Sequence, residues 1–170
     1  MKEIIYNTDN ISENEINRIV RRAKALIVNS KGQILLALSD KNYFLVGGHA
    51  DSDESDFECL KREIKEEMGV DVDVKPMIPF LRIKYLNKDY PKEGVNTMSI
   101  ANYYVLNTDI NPNEENITLT KDEAKGNFHI EAISIEDLLP TLMGSIEDST
   151  REGAVLDTIE AVKEYINLMN

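Results

Sequence analysis

The segment that most constrains the fold spans residues 52–68, which are predicted to be helical in their later part and to end at Gly69. Glycine readily adopts the left-handed conformation that ends many helices, so it sets the C-terminal boundary. At about 100° per residue, four apolar side chains fall on one stripe. These side chains are Phe57, Leu60, Ile64 and Met68. The stripe requires a core, so this helix must pack against other elements.

Acidic side chains are concentrated along the same helix. Residues 51–67 contain eight acidic and three basic side chains. Glu63, Glu66 and Glu67 fall within one sector of about 100°, and this sector borders the apolar stripe. Like charges at this spacing destabilise a helix, and desolvation at the edge of a core adds to the cost. A solvated helix face is the commoner explanation of an acidic run, but the border position favours a bound cation.

The residue types nearby indicate which cation. Mg²⁺ and Mn²⁺ are hard cations that prefer carboxylate and carbonyl oxygens. Gly47 and Gly48 precede the helix and let the backbone approach a ligand closely, so that a glycine carbonyl can be a further oxygen donor. A soft-metal site is not expected, because the chain has one cysteine and two separated histidines. Arg62 lies one turn from Glu66 and is placed to orient the acids.

These residues together match a known signature. The pattern Gly48-x5-Glu54-x7-Arg62-Glu63-Ile64-x-Glu66-Glu67-x-Gly69-Val70 resembles the signature of the Nudix hydrolases at every defined position. The resemblance covers Gly48–Val70, and the order of elements around it is also similar. It implies a Nudix-type α/β/α sandwich with a mixed β-sheet, which belongs to the α/β class.

The resemblance also implies an activity and a set of roles. Nudix enzymes cleave the diphosphate linkage of nucleoside diphosphates joined to another moiety, with Mg²⁺ or with Mn²⁺ as a substitute. Glu66 and Glu67 would be the principal metal ligands, with the Gly47 carbonyl as another. Glu63 would be a metal ligand or the base that deprotonates the attacking water. Glu54 and Arg62 would support the geometry of the loop and helix.

Other site residues rest on weaker signals. Family members often complete the site with an acid from a later loop, for which Glu123 is favoured over Asp122, although an exposed loop acid is the commoner explanation. His49 is a candidate phosphate contact and Tyr43 a candidate for stacking on a base. Further candidates, each more commonly structural, are Arg21, Arg22, Arg82 and Lys84 for phosphates and Phe44 and Tyr85 for a base. Cys59 is interpreted as a small helix residue and not as a nucleophile.

The rest of the chain predicts one domain over residues 1–170. Residues 1–24 are predicted to be a helical extension, because Ser12 and Glu15 form a capping-box pattern before apolar residues at helical spacing. Strands are predicted over residues 25–28, 33–38, 70–74, 77–85, 97–106 and 128–134, with a short apolar run at 43–46 and a helical turn near 135–139. A C-terminal helix is predicted over 149–170, with Val155, Ile159, Val162, Ile166 and Met169 on one stripe.

Composition limits the partners. The net charge is −12, which repels nucleic-acid polymers and anionic membranes, so a small phosphorylated substrate, in this context a nucleotide, is expected instead. The longest uninterrupted apolar run has five residues, far below the length of a membrane span. One cysteine excludes an internal disulfide and favours the cytoplasm. A homodimer through the C-terminal helix stays open, as does a catalytically silent Nudix-fold sensor of a nucleotide or metabolite.

Overall fold

Seven strands and three helices lie within residues 1–119 and 126–169, which are the residues that the computed structural model describes. In chain order they are β1 (Lys2–Tyr6), β2 (Arg18–Val28), β3 (Gln33–Ser39), β4 (Asn42–Leu45), α1 (Asp56–Met68), β5 (Ile78–Asn87), β6 (Thr97–Asn107), β7 (His129–Ser134), α2 (Ile135–Ser145) and α3 (Glu152–Met169).

The strands form one mixed sheet in the order β1-β5-β6-β2-β3-β4, with β7 also pairing with β3. The longest ladder joins β2 and β6 in parallel, from the pair Arg18–Thr97 to the pair Val28–Asn107. β1 is parallel to β5, whereas the other ladders are antiparallel. Parallel neighbours need long crossover connections, so this central pairing depends on segments that are distant in sequence.

Alternation along β2 divides the core into two layers. Ala23, Ala25 and Ile27 pack with α1 on one face of the sheet. Leu26 packs on the other face with residues of α2 and α3. Successive strand side chains point to opposite faces, so one strand serves both layers. The predicted α/β/α sandwich with a mixed sheet is confirmed.

Helix α1 forms as its sequence predicts. The Ser55 hydroxyl caps it by accepting a hydrogen bond from the Glu58 amide, and the Glu58 carboxylate accepts one from the Ser55 amide. The helix ends at Gly69, whose φ of 68° is in the left-handed region. Leu60, Ile64 and Met68 are fully buried. The expectation that Phe57 belongs to the stripe is wrong, because it is 40% exposed and only leans on the ring of Tyr104.

The helix predicted within residues 1–24 is wrong. The capping box of Ser12 and Glu15 forms, but it opens only one 3₁₀ turn, Glu13–Glu15. From Arg18 onward the chain is strand β2, because pairing with β6 satisfies its backbone along the whole strand. The predicted strand over 70–74 is also absent, and Val74 instead packs beneath α1. In both places long-range packing overrides a local pattern.

The C-terminal helix begins at Glu152, three residues later than predicted. Val155, Ile159 and Val162 are buried as expected, but Met169 is 61% exposed and lies outside the core. In the described part of the chain, none of the helices has both the length and the apolar character that crossing a membrane requires.

Candidate active site

Helix α1 carries two buried carboxylates at the border of its apolar stripe. Glu63 and Glu67, one turn apart, are only 8% and 7% exposed. Glu66, on the same sector, has a side chain that is 39% exposed. The burial of these two acids follows from the helical spacing in the sequence. Hydrogen-bond donors or cations must therefore compensate the cost of burying their charges.

The Gly47–Gly48 loop lies directly on these carboxylates. The Gly47 amide donates a hydrogen bond of 2.9 Å to Glu67 Oε2. A Cβ added at Gly48 would lie 2.5 Å from Glu63 Cδ, so the Glu63 carboxylate would have to shift. Gly47 has a φ of 122°, in the region that favours glycine, and a Cβ there would overlap the carbonyl of Ala23. The backbone therefore requires glycine at position 47, whereas glycine at position 48 lets the Glu63 carboxylate lie against the loop.

Arg62 holds three acids in one network. Its guanidinium donates two hydrogen bonds of 2.9 Å to the two oxygens of Glu54. It also donates to Glu63 Oε1 at 2.7 Å and to Glu66 Oε2 at 3.2 Å. Another bond of 2.9 Å reaches the His49 carbonyl, so Arg62 ties the loop to the helix. This arrangement agrees with the orienting position expected for Arg62, while its role in catalysis stays a prediction.

The network and the burial shift the proton affinities of its members. The hydrogen bonds from Arg62 are the main reason that the pKa of Glu54 is lowered. Burial raises the pKa of Glu63, although Arg62 opposes this rise. Burial, reinforced by Glu63 and Glu54, raises the pKa of the Cys59 thiol to about 11. A thiol with this pKa remains protonated near neutrality, which agrees with the interpretation of Cys59 as a non-nucleophilic helix residue.

The oxygen donors fit a hard divalent cation. Glu63, Glu67 and the Gly47 carbonyl are carboxylate and carbonyl groups of the kind that Mg²⁺ and Mn²⁺ bind. The Lys24 ammonium donates a hydrogen bond to the Gly47 carbonyl, so a cationic group already lies against this candidate metal ligand. Within residues 1–119 and 126–169, no three His, Cys, Asp or Glu residues are grouped as a metal-binding cluster. Mg²⁺ usually binds one or two carboxylates together with waters and substrate phosphates, so the set is compatible with it.

A cavity of about 510 Å³ opens beside this loop, on the face of the sheet covered by α3. Gly47, Gly48 and Glu67 line it at the α1 side. Small side chains leave the space, and these are Ala37 and Ser39 of β3, Ala101 of β6, and Gly153 and Ala154 of α3. The cavity is thus continuous with the carboxylate site.

Cationic side chains line the cavity although the protein is acidic overall. Arg22 and Lys24 alternate along β2 and therefore project from the same face, and Arg151 lies near the start of α3. The Arg151 guanidinium is 5.9 Å from the centre of the Phe44 ring. These groups can neutralise phosphate charge next to the carboxylates.

The candidate residues with weaker sequence support differ in their position relative to the cavity. His49 lines the cavity, and burial together with Arg22 and Lys24 lowers its pKa, so the neutral form is favoured. Tyr43 is not among the residues that line the cavity, and its hydroxyl donates to Glu131 at 3.0 Å. Glu123 and Asp122 lie outside the described residues.

The remaining candidates for phosphate and base contacts line two different depressions. Arg22, Phe44 and Tyr85 line the cavity beside the loop. Arg21, Arg82 and Lys84 line a different depression near the N-terminus of α1.

Sequence reasoning missed the α3 side of the cavity. Arg151, Asp157 and Thr158 line it, together with Tyr103 of β6. Asp157 borders the buried positions Thr158 and Ala161, just as Glu63 borders the stripe of α1. Angular position alone places this acid beside the buried face of α3, but its position at the cavity depends on strands that are distant in sequence.

The mixed sheet lies between two layers of helices, and the Gly47–Gly48 loop packs against the acids of α1. These features define the class of α/β/α sandwich to which the protein belongs. A family model described as the NUDIX domain matches residues 18–150, so the chain belongs to the NUDIX family. No curated protein sequence matches the chain significantly.

Several solved structures share this fold. The E. coli ORF135 protein superposes with a TM-score of 0.58 at 16% identity, over 94% of this chain and 96% of the other. A MutT NUDIX hydrolase from Burkholderia pseudomallei gives a TM-score of 0.54 at 19% identity, over 79% and 100%. A structure from work on MutT of Aliivibrio salmonicida and Vibrio cholerae gives 0.50 at 17% identity, over 83% and 96%.

Proposed function

We propose that this protein is a divalent-metal-dependent pyrophosphohydrolase that cleaves the diphosphate linkage of a small nucleoside-diphosphate-type substrate. The observation that carries the proposal is the Gly47–Gly48 loop, which rests on Glu63 and Glu67 at the edge of a cation-lined cavity. A reducing, cytoplasmic setting is part of the proposal, and so is the use of Mg²⁺ or Mn²⁺.

The acids of α1 would hold the metal. Glu66 and Glu67 are the proposed principal ligands with the Gly47 carbonyl, and Glu63 is either a third ligand or the base. Bound Mg²⁺ or Mn²⁺ supplies neutralisation of the phosphate oxygens and activation of water. Glu123 remains a proposed additional ligand from the sequence pattern alone.

The other residues would position the reactants. Arg62 keeps Glu63 and Glu66 in place through the hydrogen bonds described above, and its link to Glu54 fixes the guanidinium. Arg22, Lys24 and Arg151 would balance the charge of the substrate's phosphates, with neutral His49 as a further donor. This division suits phosphoryl chemistry, in which the protein mainly contributes positioning and electrostatic stabilisation.

Turnover of a nucleotide panel with Mg²⁺ and with Mn²⁺ tests the proposal. We expect hydrolysis by the wild type and a loss of about 100-fold or more in Glu66→Gln and Glu67→Gln, because each variant loses a ligand charge. Glu93→Gln, at an exposed loop position, is the matched control and should retain activity. Wild-type rates in both α1 variants would contradict the metal assignment.

The same panel distinguishes the enzyme from the sensor. A sensor would give no product with any nucleotide, while one nucleotide would raise the melting temperature of the wild type. These two results together would show that the protein binds a nucleotide without hydrolysing it.

A further inference from the structure

The ammonium of Lys24 lies against one of the candidate metal ligands. It donates a hydrogen bond to the Gly47 carbonyl, and the same lysine lines the cavity together with Gly47 and Glu67. Carbonyl oxygens accept hydrogen bonds and also bind hard divalent cations. The Gly47 oxygen is therefore offered to two kinds of cation, an ammonium group of this chain and a metal ion.

Backbone hydrogen bonds fix the position of that carbonyl. They run from the Ala23 amide to the Gly48 carbonyl at 3.1 Å and from the Ala25 amide to the Val46 carbonyl at 2.8 Å. Gly47 lies between these two bonds, so β2 holds it on both sides. A lysine ammonium sits on a flexible four-carbon stem. Of the two partners, the ammonium is therefore the one that can move.

The charge of Lys24 also acts on the buried acids of α1. Glu63 and Glu67 are both buried, and carboxylates in such positions need positive charge nearby. Burial raises the pKa of Glu63, whereas Arg62 and Lys24 oppose this rise. Lys24 thus favours the ionised form of a carboxylate that is proposed to act at the metal site.

We propose that Lys24 is a built-in competitor of the divalent cation, because its ammonium binds the Gly47 carbonyl until a metal ion takes that oxygen and then withdraws from it. This inference rests on the metal site of the proposed function. Two cations on one oxygen repel each other strongly at the edge of a core, where water and salt screen them little. The ammonium and the metal ion therefore exclude each other at Gly47.

The cavity gives the displaced ammonium another partner. Arg22 and Arg151 line the same cavity as Lys24, and the proposed function places the phosphates of the substrate beside these cations. The long stem keeps the ammonium on the cavity wall after it leaves the carbonyl. Release from Gly47 therefore makes Lys24 available to the phosphates.

Binding of Mn²⁺ without nucleotide, measured by calorimetry, tests the inference without turnover. We expect Lys24→Met to bind Mn²⁺ about tenfold more tightly than the wild type, because the metal ion no longer displaces a charge-assisted hydrogen bond. Lys24→Gln also removes the charge and should bind Mn²⁺ more tightly. It replaces the methionine variant if thermal melts show that Lys24→Met does not fold.

Arg22→Met is the matched control. Arg22 lies two residues from Lys24 on the same face of β2, so the substitution removes one positive charge and keeps the contact of Lys24 with Gly47. Its affinity for Mn²⁺ should change by about twofold or less, because a more distant charge is screened by salt.

Two results overturn the inference. One is an affinity of the Lys24 variants that is equal to or below that of the wild type. The other is an equal gain in Arg22→Met, which would show only an effect of net charge. Failure of the metal site is distinguishable through Glu67→Gln. Equal Mn²⁺ affinity of this variant and the wild type would contradict the proposed ligands, whereas a loss in Glu67→Gln without a gain in Lys24→Met would remove only the competitor. Absence of Mn²⁺ binding in both the wild type and Lys24→Met would overturn both.

Discussion

Helices α1 and α3 both bring carboxylates to the same cavity, but they hold them in different ways. On α1, Arg62 binds Glu63 and Glu66, and the Gly47 amide binds Glu67. On α3, the hydrogen bond that Asp157 makes within residues 1–119 and 126–169 comes from the Tyr85 hydroxyl. The dense network fixes the acids that are proposed to hold the metal, whereas one contact within the described residues fixes Asp157.

The largest effect that would sharpen this comparison is expected from Gly48→Ala. The added Cβ would displace the Glu63 carboxylate, since it would lie 2.5 Å from Cδ. A displacement of about 1 Å in a catalytic group can cost about 100-fold, so we expect a comparable fall in kcat. Steady-state kinetics measure it.

Gly144→Ala is the control for that substitution. Gly144 lies in α2, and nothing lies within 4 Å of a Cβ at this position. It should leave kcat unchanged and stabilise the protein slightly. Equal kcat in both glycine variants would refute the close contact between loop and carboxylate.

The next effect concerns the clamp on α1, by which we mean the hydrogen bonds from Arg62 to Glu54, Glu63 and Glu66. Arg62→Lys removes the planar fork that binds both oxygens of Glu54 and reaches Glu63. A buried carboxylate would lose its partner, so we expect unfolding free energy to fall by about 1–3 kcal/mol and activity to fall with it. Denaturant titration measures the first change, with Lys61→Gln on the exposed face as control. Equal stability of the two variants would contradict the clamp.

A smaller effect concerns how the stability contributed by Asp157 on α3 depends on pH. Burial raises the pKa of Asp157, with Glu160 adding to the rise and Tyr85 and Arg22 opposing it. The folded state thus favours the protonated form, so the stability contributed by this group is present at low pH. It is lost as pH rises from the ordinary aspartate value, about 3.9, through the higher folded value.

Denaturant titrations of wild type and Asp157→Asn across acidic to neutral pH isolate this contribution. The stability of the wild type relative to the variant should decrease as pH rises. A relative stability that increases with pH would show that Asp157 is stabilised as the anion, contrary to its burial.

The smallest effect is expected from Cys59→Ala on α1. Its thiol is buried, with a pKa raised to about 11, and its sulfur lies 3.8 Å both from the Gly48 carbonyl and from Arg62 Nη2. Activity should stay within about twofold of the wild type, because a protonated thiol takes no part in nucleophilic chemistry. A loss of activity larger than that of Gly48→Ala would overturn this interpretation.

The two helices also explain how far the sequence predicts this molecule. The boundaries and buried face of α1 follow from local signals, namely the cap at Ser55, the glycine at 69 and the helical spacing of Leu60 and Ile64. Its acids are recognisable from the sequence because they lie in a dense pattern that resembles a family signature. Local signals suffice where a helix carries its own boundaries.

Long-range pairing accounts for the errors. Residues from Arg18 onward have a pattern that fits a helix, but pairing with β6, distant in sequence, makes them a strand. Asp157 was missed for a related reason. Its position at the cavity depends on Tyr85 of β5 and on the small side chains of β3 and β6 that leave the cavity open, and no local pattern brings these together.

The most direct test of the account compares kcat for one carboxylate substitution on each helix. With Mg²⁺ and the preferred nucleotide, Glu67→Gln should lower kcat by about 100-fold or more with product binding retained. Asp157→Asn should keep kcat close to that of the wild type, because this acid is not among the proposed metal ligands. Wild-type kcat in Glu67→Gln, or an equally large loss of kcat in Asp157→Asn, would contradict the account.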